Sequence, residues 1–249
     1  MSTNGSTGSL AGKVAVITGA SRGIGRALAL AMAERGATIV GSARKLDSSD
    51  GTGGTLKSTI EAIQAAGGIG LAVPADITSA DGARGLIDRA VEAHGRVDVL
   101  VNNAGVFPYG AIAEFPPDEW DAMIAINLRA PFLLCQAAIP AMQRQGGGSI
   151  LNMSSGAAVK YFAGRVAYAV SKDALNRLSV MLAEELRADN ISVNAYAPGL
   201  VATDMNDYEA AGVAPEALVE SVMWILAQDV SFTGQFVRRD EFGNTWGPR

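Results

Sequence analysis

The chain is predicted to fold as an α/β protein, a doubly wound parallel sheet of about seven strands with helices on both faces. Three observations predict this. Short β-rich runs alternate with helical patterns along the 249 residues, the mark of successive βαβ units. Apolar residues make up 49% and charged residues 18%, enough to fill one packed core without a second domain. A glycine-rich turn stands where the first strand meets the first helix, and 29 glycines suit a fold of tight turns.

Val14–Thr18 is a five-residue apolar run ending at Gly19 and reads as a buried strand. Ile24, Ala27, Leu28, Ala31 and Met32 then follow helical spacing, and Gly36 ends that helix. Residues 38–42 form the next strand, and 48–54 a polar, Gly-rich connection. A helix is predicted over 56–66, a strand over 69–74, and a helix over 79–93 capped by Ser79. The fourth strand is 97–101. Pro117 suits the start of a long helix reaching about residue 142. A fifth strand (150–153), a helix (167–188) and a sixth strand (191–196) follow, then a last helix (215–227) and strand (235–238). No repeat, linker or shift of composition divides the chain. Residues 1–9 read as a flexible tail and 10–249 as a single domain.

The net charge of −5 and the absence of a basic run argue against a nucleic-acid partner. One cysteine, Cys135, and one histidine, His94, allow neither an internal disulfide nor a His/Cys metal cluster. Cys135 lies in an apolar run and reads as a packing residue; His94 precedes Gly95 at a helix end. A Ser-His-Asp hydrolase is disfavoured. The Ser/Thr/Gly-rich start is no signal peptide, and no run of about 18 consecutive apolar residues occurs. The expectation is a cytoplasmic protein with no membrane contact.

Thr18-Gly-Ala-Ser-Arg-Gly-Ile-Gly25 joins the first strand to the first helix. Glycines there let backbone N–H groups approach a pyrophosphate at a helix N-terminus. The spacing GxxxGxG departs from GxGxxG, so position in the βαβ series carries the dinucleotide reading. The second strand ends Gly41-Ser-Ala-Arg44-Lys45, with no acid to bind a ribose 2′-OH. NADP(H) is therefore expected, with Arg44 and Arg22 on the 2′-phosphate. Arg44 and Lys45 could equally be solvated loop charges.

Tyr168 and Lys172 are four residues apart and share a helix face. A nearby ammonium favours phenolate, so the pair makes a tuned proton donor. Ser155 lies thirteen residues before Tyr168.

With these pieces in hand, the chain resembles the short-chain dehydrogenase/reductase family in its single-domain form of about 250 residues. Thr18–Gly25, Asp76-Ile77, Asn102-Asn-Ala-Gly105, Asn127, Ser155, Tyr168-x-x-x-Lys172, and Pro198-Gly199 with Thr203 occur in the family's order. The resemblance implies a Rossmann-type fold and a catalytic tetrad. Tyr168 would exchange a proton with the substrate oxygen, while Lys172 would lower its pKa and bind the nicotinamide ribose. Ser155 would hydrogen-bond the substrate oxygen, and Asn127 would hold a water linking Lys172 to solvent. Cofactor contacts would come from Gly19, Ser21, Arg22, Gly23, Ile24 and Gly25, from Arg44, Asp76 and Ile77, from Asn103, Ala104 and Gly105, from Tyr168 and Lys172, and from Pro198, Gly199 and Thr203. Asn102 and Asn103 could also simply stabilise a turn, and Asn127 a helix kink.

Two departures stand out. Only eleven residues separate Thr203 from Pro215, a short lid, and the C-terminus ends Phe242-Gly-Asn-Thr-Trp-Gly-Pro-Arg249. An NADP-dependent carbonyl reductase or alcohol dehydrogenase is expected, acting on a small carbonyl or alcohol substrate of apolar or aromatic character. Phe107, Tyr109, Val159, Tyr161, Phe162 and Met205 are expected to line its pocket. The alternative is an inactive nucleotide-binding regulatory or scaffold protein of the same fold. The resemblance further implies a homo-oligomer, tetramer or dimer. Leu175, Leu178, Leu182 and Leu186 fit a subunit face or an internal core equally well.

Overall fold

The computed structural model describes residues 9–47, 54–206 and 210–248. The expected tail, apart from Ser9, and most of the connection at 48–54 lie outside the described residues, as do 207–209 of the lid. Seven strands, β1 (Val14–Thr18), β2 (Thr38–Ala43), β3 (Gly70–Pro74), β4 (Val99–Asn102), β5 (Gly148–Met153), β6 (Ile191–Ala197) and β7 (Phe236–Arg238), form one parallel sheet. Their order is β3-β2-β1-β4-β5-β6-β7. Between β1 and β4 the winding reverses, and in open α/β sheets a ligand crevice forms beyond the strand ends at that point.

Strand alternation divides the core in two. Ala15 and Ile17 of β1 face one layer, where α1 (Gly23–Glu34), α2 (Leu56–Ala65) and α7 (Val219–Leu226) contribute Leu28, Met32, Ile60, Ile63 and Val222. Val14 and Val16 face the other layer, built by Leu86 and Ile87 of α3 (Ala80–His94), Leu134 and Met142 of α5 (Ala130–Arg144), and Leu186 of α6 (Val166–Leu186). Ser79 caps α3, its hydroxyl accepting from Gly82 N–H at 3.0 Å, and Gly95 closes the helix at φ 78°. Cys135 is buried in the second layer, and Leu175 and Leu186 are core residues.

The helix predicted from Pro117 runs unbroken to Arg144 but is not α-helical throughout. α4 (Pro117–Ile124) passes into a π-helical turn, Ala125–Arg129, before α5 begins. Asn127, at the centre of that turn, is fully buried and bonded to the backbone of Val106 at both ends of its amide, which holds the widened turn. The whole run Pro117–Arg144 is long and apolar enough to cross a membrane by composition. Its residues Met123, Leu134 and Met142 are fully enclosed by protein, as in a core helix.

The departure at the C-terminus also has a structural solution. Phe242 and Trp246 fold back onto Trp224 of α7 and onto Phe232, with ring centroids 5.0–6.0 Å apart in edge contacts. Arg239 donates to the Pro198 carbonyl at 2.9 Å, tying this tail to the segment after β6.

At the opposite end of the sheet, Asp98 accepts from Val14 N–H at 2.9 Å, from Lys13 at 3.1 Å and from both arms of Arg96 at 2.6 Å. Burial pushes its carboxyl up, but the hydrogen bonds from Arg96, Val14 and Lys13 outweigh it and hold the pKa below 3.8. A depressed folded pKa means stability that is present above the unfolded value and lost as pH falls through the folded one. Asp98→Ala is expected to cost about 2–3 kcal/mol at neutral pH in urea unfolding. The gap to wild type should shrink below pH 3.8; a gap that stays constant there would contradict this account.

Candidate active site

Beyond the strand ends lies a cleft of about 520 Å³. Of the residues expected to hold a dinucleotide, all but Gly25 and Gly199 line it. Gly19 (φ 67°) and Gly23 (φ 53°) take left-handed conformations that shape the loop. Gly25 sits behind them, where an added Cβ would lie 2.2 Å from the Gly19 carbonyl oxygen. Gly199 turns the chain at φ 76° beside Arg239. The loop is braced from the β4 side: Asn103 donates through Nδ2 to Thr18 O at 2.9 Å, and Thr18 Oγ1 accepts from the N–H groups of Asn103 and Ala104. The N-cap of α1, Arg22, has a donor-only side chain that does not cap the helix, and the first turn of α1 faces the cleft.

The residues present fit a dinucleotide, and the sharpest sign is Ser42. Its hydroxyl is buried at the end of β2, lines the cleft, and among the described residues has no hydrogen-bond partner. A buried hydroxyl left unpaired in the protein calls for a polar ligand there. Exposed Arg44 stands two residues on. Across from it, Asp76 accepts from Thr78 Oγ1 at 2.6 Å and Thr78 N–H at 3.0 Å. These bonds hold its carboxyl below the ordinary value, against slight burial and with help from Arg44. Arg22 reaches over the cleft mouth to Asp204, Nε to Oδ2 2.5 Å, joining the glycine loop to the short lid.

At the inner end, α6 carries Tyr168 and Lys172 onto the same cleft. Lys172 is 5% exposed and donates to the Met153 carbonyl at 2.8 Å; burial lowers its pKa to about 8. Asn127 approaches from the π turn, its Nδ2 bonded to Val106 O at 2.9 Å and to Ser171 Oγ at 3.2 Å. Ser155 and Ser154 diverge as alternation demands. Ser154 is buried and donates to Lys172 O, whereas Ser155 accepts from Ala157 N–H and draws the Tyr168 pKa down against burial. Neither Ser155 nor Asn127 forms the cleft wall itself.

The expectation that Lys172 governs the acidity of Tyr168 needs correction for this state of the site. Burial dominates and raises the phenol above 10.0; Ser155 and then Arg165 pull it back, and Lys172 has no resolved part. The Lys172 nitrogen lies 5.8 Å from the ring centroid with its proton directed to Met153. Proximity along a helix face did not guarantee that the charge points at the hydroxyl.

The expected pocket wall is also redrawn. Of its six residues only Met205 lines the cleft. Phe107 touches Tyr168 edge-on at 4.5 Å, and Tyr109 is largely exposed beside it. Tyr161 and Phe162 line a separate shallow groove along α6, and Val159 is exposed. Loop residues 159–163 are exposed, which periodicity cannot foresee outside regular structure. Ser42, Asp204, Ser171 and Arg165 were missed by sequence reasoning. Ser42 alone carried a signal, its place at the end of the second strand.

Comparison with known proteins agrees with this geometry. Residues 13–213 match the sequence family described as short chain dehydrogenase. An uncharacterized oxidoreductase of Methylorubrum extorquens is 42% identical over 195 residues, 78% of this chain and 75% of that protein. The 3-oxoacyl-[acyl-carrier-protein] reductase FabG of Staphylococcus aureus is 34% identical over 92% of both chains. A metagenomic short-chain oxidoreductase crystallised with NADP superposes with TM-score 0.80 at 38% identity, covering 92% of this chain and 98% of its own.

Proposed function

The chain belongs to the short-chain dehydrogenase/reductase family, and from that premise we propose an NADP(H)-dependent oxidoreductase that interconverts a ketone or aldehyde and an alcohol. One observation carries this: Tyr168 and Lys172 open onto the same cleft that begins at the glycine loop. A bound nicotinamide cofactor supplies or accepts the hydride. The protein's own residues do the rest. Tyr168 gives a proton to the carbonyl oxygen in reduction and takes one from the alcohol in oxidation. Ser155, which draws the phenol's pKa down, offers a hydroxyl to the same oxygen as charge develops on it. Lys172 holds the nicotinamide ribose, and its burial keeps its proton exchangeable near neutral pH. Asn127, locked by Val106 and Ser171, steadies the region through which Lys172 exchanges with solvent.

The phosphate-bearing cofactor is favoured because Arg44, Arg22 and the Ser42 hydroxyl, unpaired among the described residues, all line the cleft; Asp76, which helps hold Arg44, is engaged by Thr78, while Asp204 pairs with Arg22. NADPH is expected to give kcat/KM at least about 10-fold above NADH, the effect of one charge-assisted contact. Measuring both nucleotides against a carbonyl panel checks this. Equal efficiency, or preference for NADH, removes the phosphate assignment. No oxidation of either would return the protein to the inactive regulatory reading.

Exposed apolar residues Phe132 on α5 and Val170 and Met181 on α6 support a homo-oligomer, tetramer or dimer. The leucines Leu175 and Leu186 serve the internal core instead, and Leu182 packs against it. Supply of NADPH and a lone buried thiol fit a cytoplasmic setting.

A further inference from the structure

We propose that Arg165 recognises an anionic group on the substrate, so that the protein takes oxo compounds carrying a carboxylate or phosphate near the reacting carbonyl. This rests on the carbonyl-reductase reading above and narrows its substrate class. Arg165 stands three residues before Tyr168, directly ahead of α6. Its guanidinium carbon lies 4.7 Å from the Phe162 ring centroid and 5.2 Å from that of Phe107. Phe107 in turn meets the Tyr168 ring edge-on at 4.5 Å. Arg165 lines the groove along α6 rather than the cleft itself, and Phe107 touches both its guanidinium and the Tyr168 ring. The two loops that carry it are pinned together, since Gly110 N–H donates to Gly164 O at 2.9 Å.

Rings hold a guanidinium by its faces and leave its in-plane N–H edge to bind a planar anion. Among the described residues Arg165 has no ion-pair partner. Neighbouring Lys160 takes Asp240 at 3.8 Å, and Asp173, the carboxylate on the same groove, pairs with neither. The helix gives no reason for a cation here. Its N-terminal end is the positive end of the dipole, and the Arg165 side chain does not cap it. A positive charge placed against the local field, clamped by aromatic rings and unneutralised, is explained by a ligand that brings the negative charge. The charge is already felt at the site, where it draws the Tyr168 pKa down against burial.

The test compares benzoylformate with its methyl ester, using NADPH oxidation by wild type, Arg165→Met and Arg165→Lys. Wild type should prefer the acid. In Arg165→Met the acid-to-ester ratio of kcat/KM should fall about 30-fold, mostly through KM, as for loss of one charge-assisted bidentate contact. Arg165→Lys should recover part of it, since charge remains while the planar fork is lost. Preference for the ester, or an equal fall for both substrates, overturns the proposal. Calorimetric titration of phenylacetate and phenylacetamide into the protein with NADP+ separates this from the reaction itself. The acid should bind at least about 10-fold tighter, and Arg165→Met should abolish the difference. Equal binding overturns the anion site whether or not a carbonyl is reduced. Acid-selective binding without NADPH oxidation would uphold the site and sink the reductase reading.

Discussion

Tyr168→Phe is expected to lower kcat about 10³-fold, a loss of roughly 4 kcal/mol of transition-state stabilisation, the range for removal of a positioned acid. NADPH affinity should stay within about threefold, because the ring remains against Phe107 and only the hydroxyl is lost. Single-turnover NADPH oxidation with a fluorescence titration of the nucleotide reads both. The direction of the Tyr168 shift adds a pH signature. Burial raises the phenol above 10.0, so at neutral pH the proton-donating form prevails. Reduction should therefore hold across neutral pH and fall only as the phenol ionises, whereas alcohol oxidation, which needs the phenolate, should rise with pH. A phenylalanine variant with ordinary turnover would remove Tyr168 from the chemistry.

Lys172→Met is expected to give a more stable protein that has lost at least about 10²-fold in turnover. Burial lowers the Lys172 pKa from 10.5 to about 8 without a carboxylate to compensate. The folded state therefore resists the proton that the unfolded chain accepts. Below pH 8 the penalty is complete; it declines between about 8 and 10.5 and is absent above. At 1.36 kcal/mol per pKa unit the penalty at pH 7 is about 3 kcal/mol. Loss of the hydrogen bond to Met153 O offsets about 1 kcal/mol. The ligand-free variant should thus be about 2 kcal/mol more stable at pH 7. Urea unfolding at several pH values checks the sign, since the advantage must shrink towards pH 10.5. A variant less stable than wild type at pH 7 contradicts it. The lysine costs stability at the place where the reaction needs a protonatable amine, a common trade at active sites.

The division between what was legible in the chain and what was not follows the range of the interactions. Val14–Thr18 emerged with its predicted bounds, and most other elements shifted by only one or two residues at their ends. Gly19, Gly23 and Gly25 announced the loop, since positive φ and a 2.2 Å approach admit nothing larger. The spacing of Tyr168 and Lys172 placed both on the cleft.

Side-chain direction was another matter. The π turn at Ala125–Arg129 depends on Val106, twenty-one residues upstream of Asn127, and on Ser171, forty-four downstream. Arg22 meets Asp204 across the whole domain, and the expected pocket wall at 159–163 is exposed. The sequence by itself determined the parallel sheet and the glycine loop, because periodicity and turn chemistry are written between near neighbours. Only the tertiary structure decided that Ser42 is buried without a partner among the described residues, that Lys172 faces Met153, and that Arg165 lies against two rings. Burial and charge at a site are set by atoms from distant segments, and those meet only once the chain has folded.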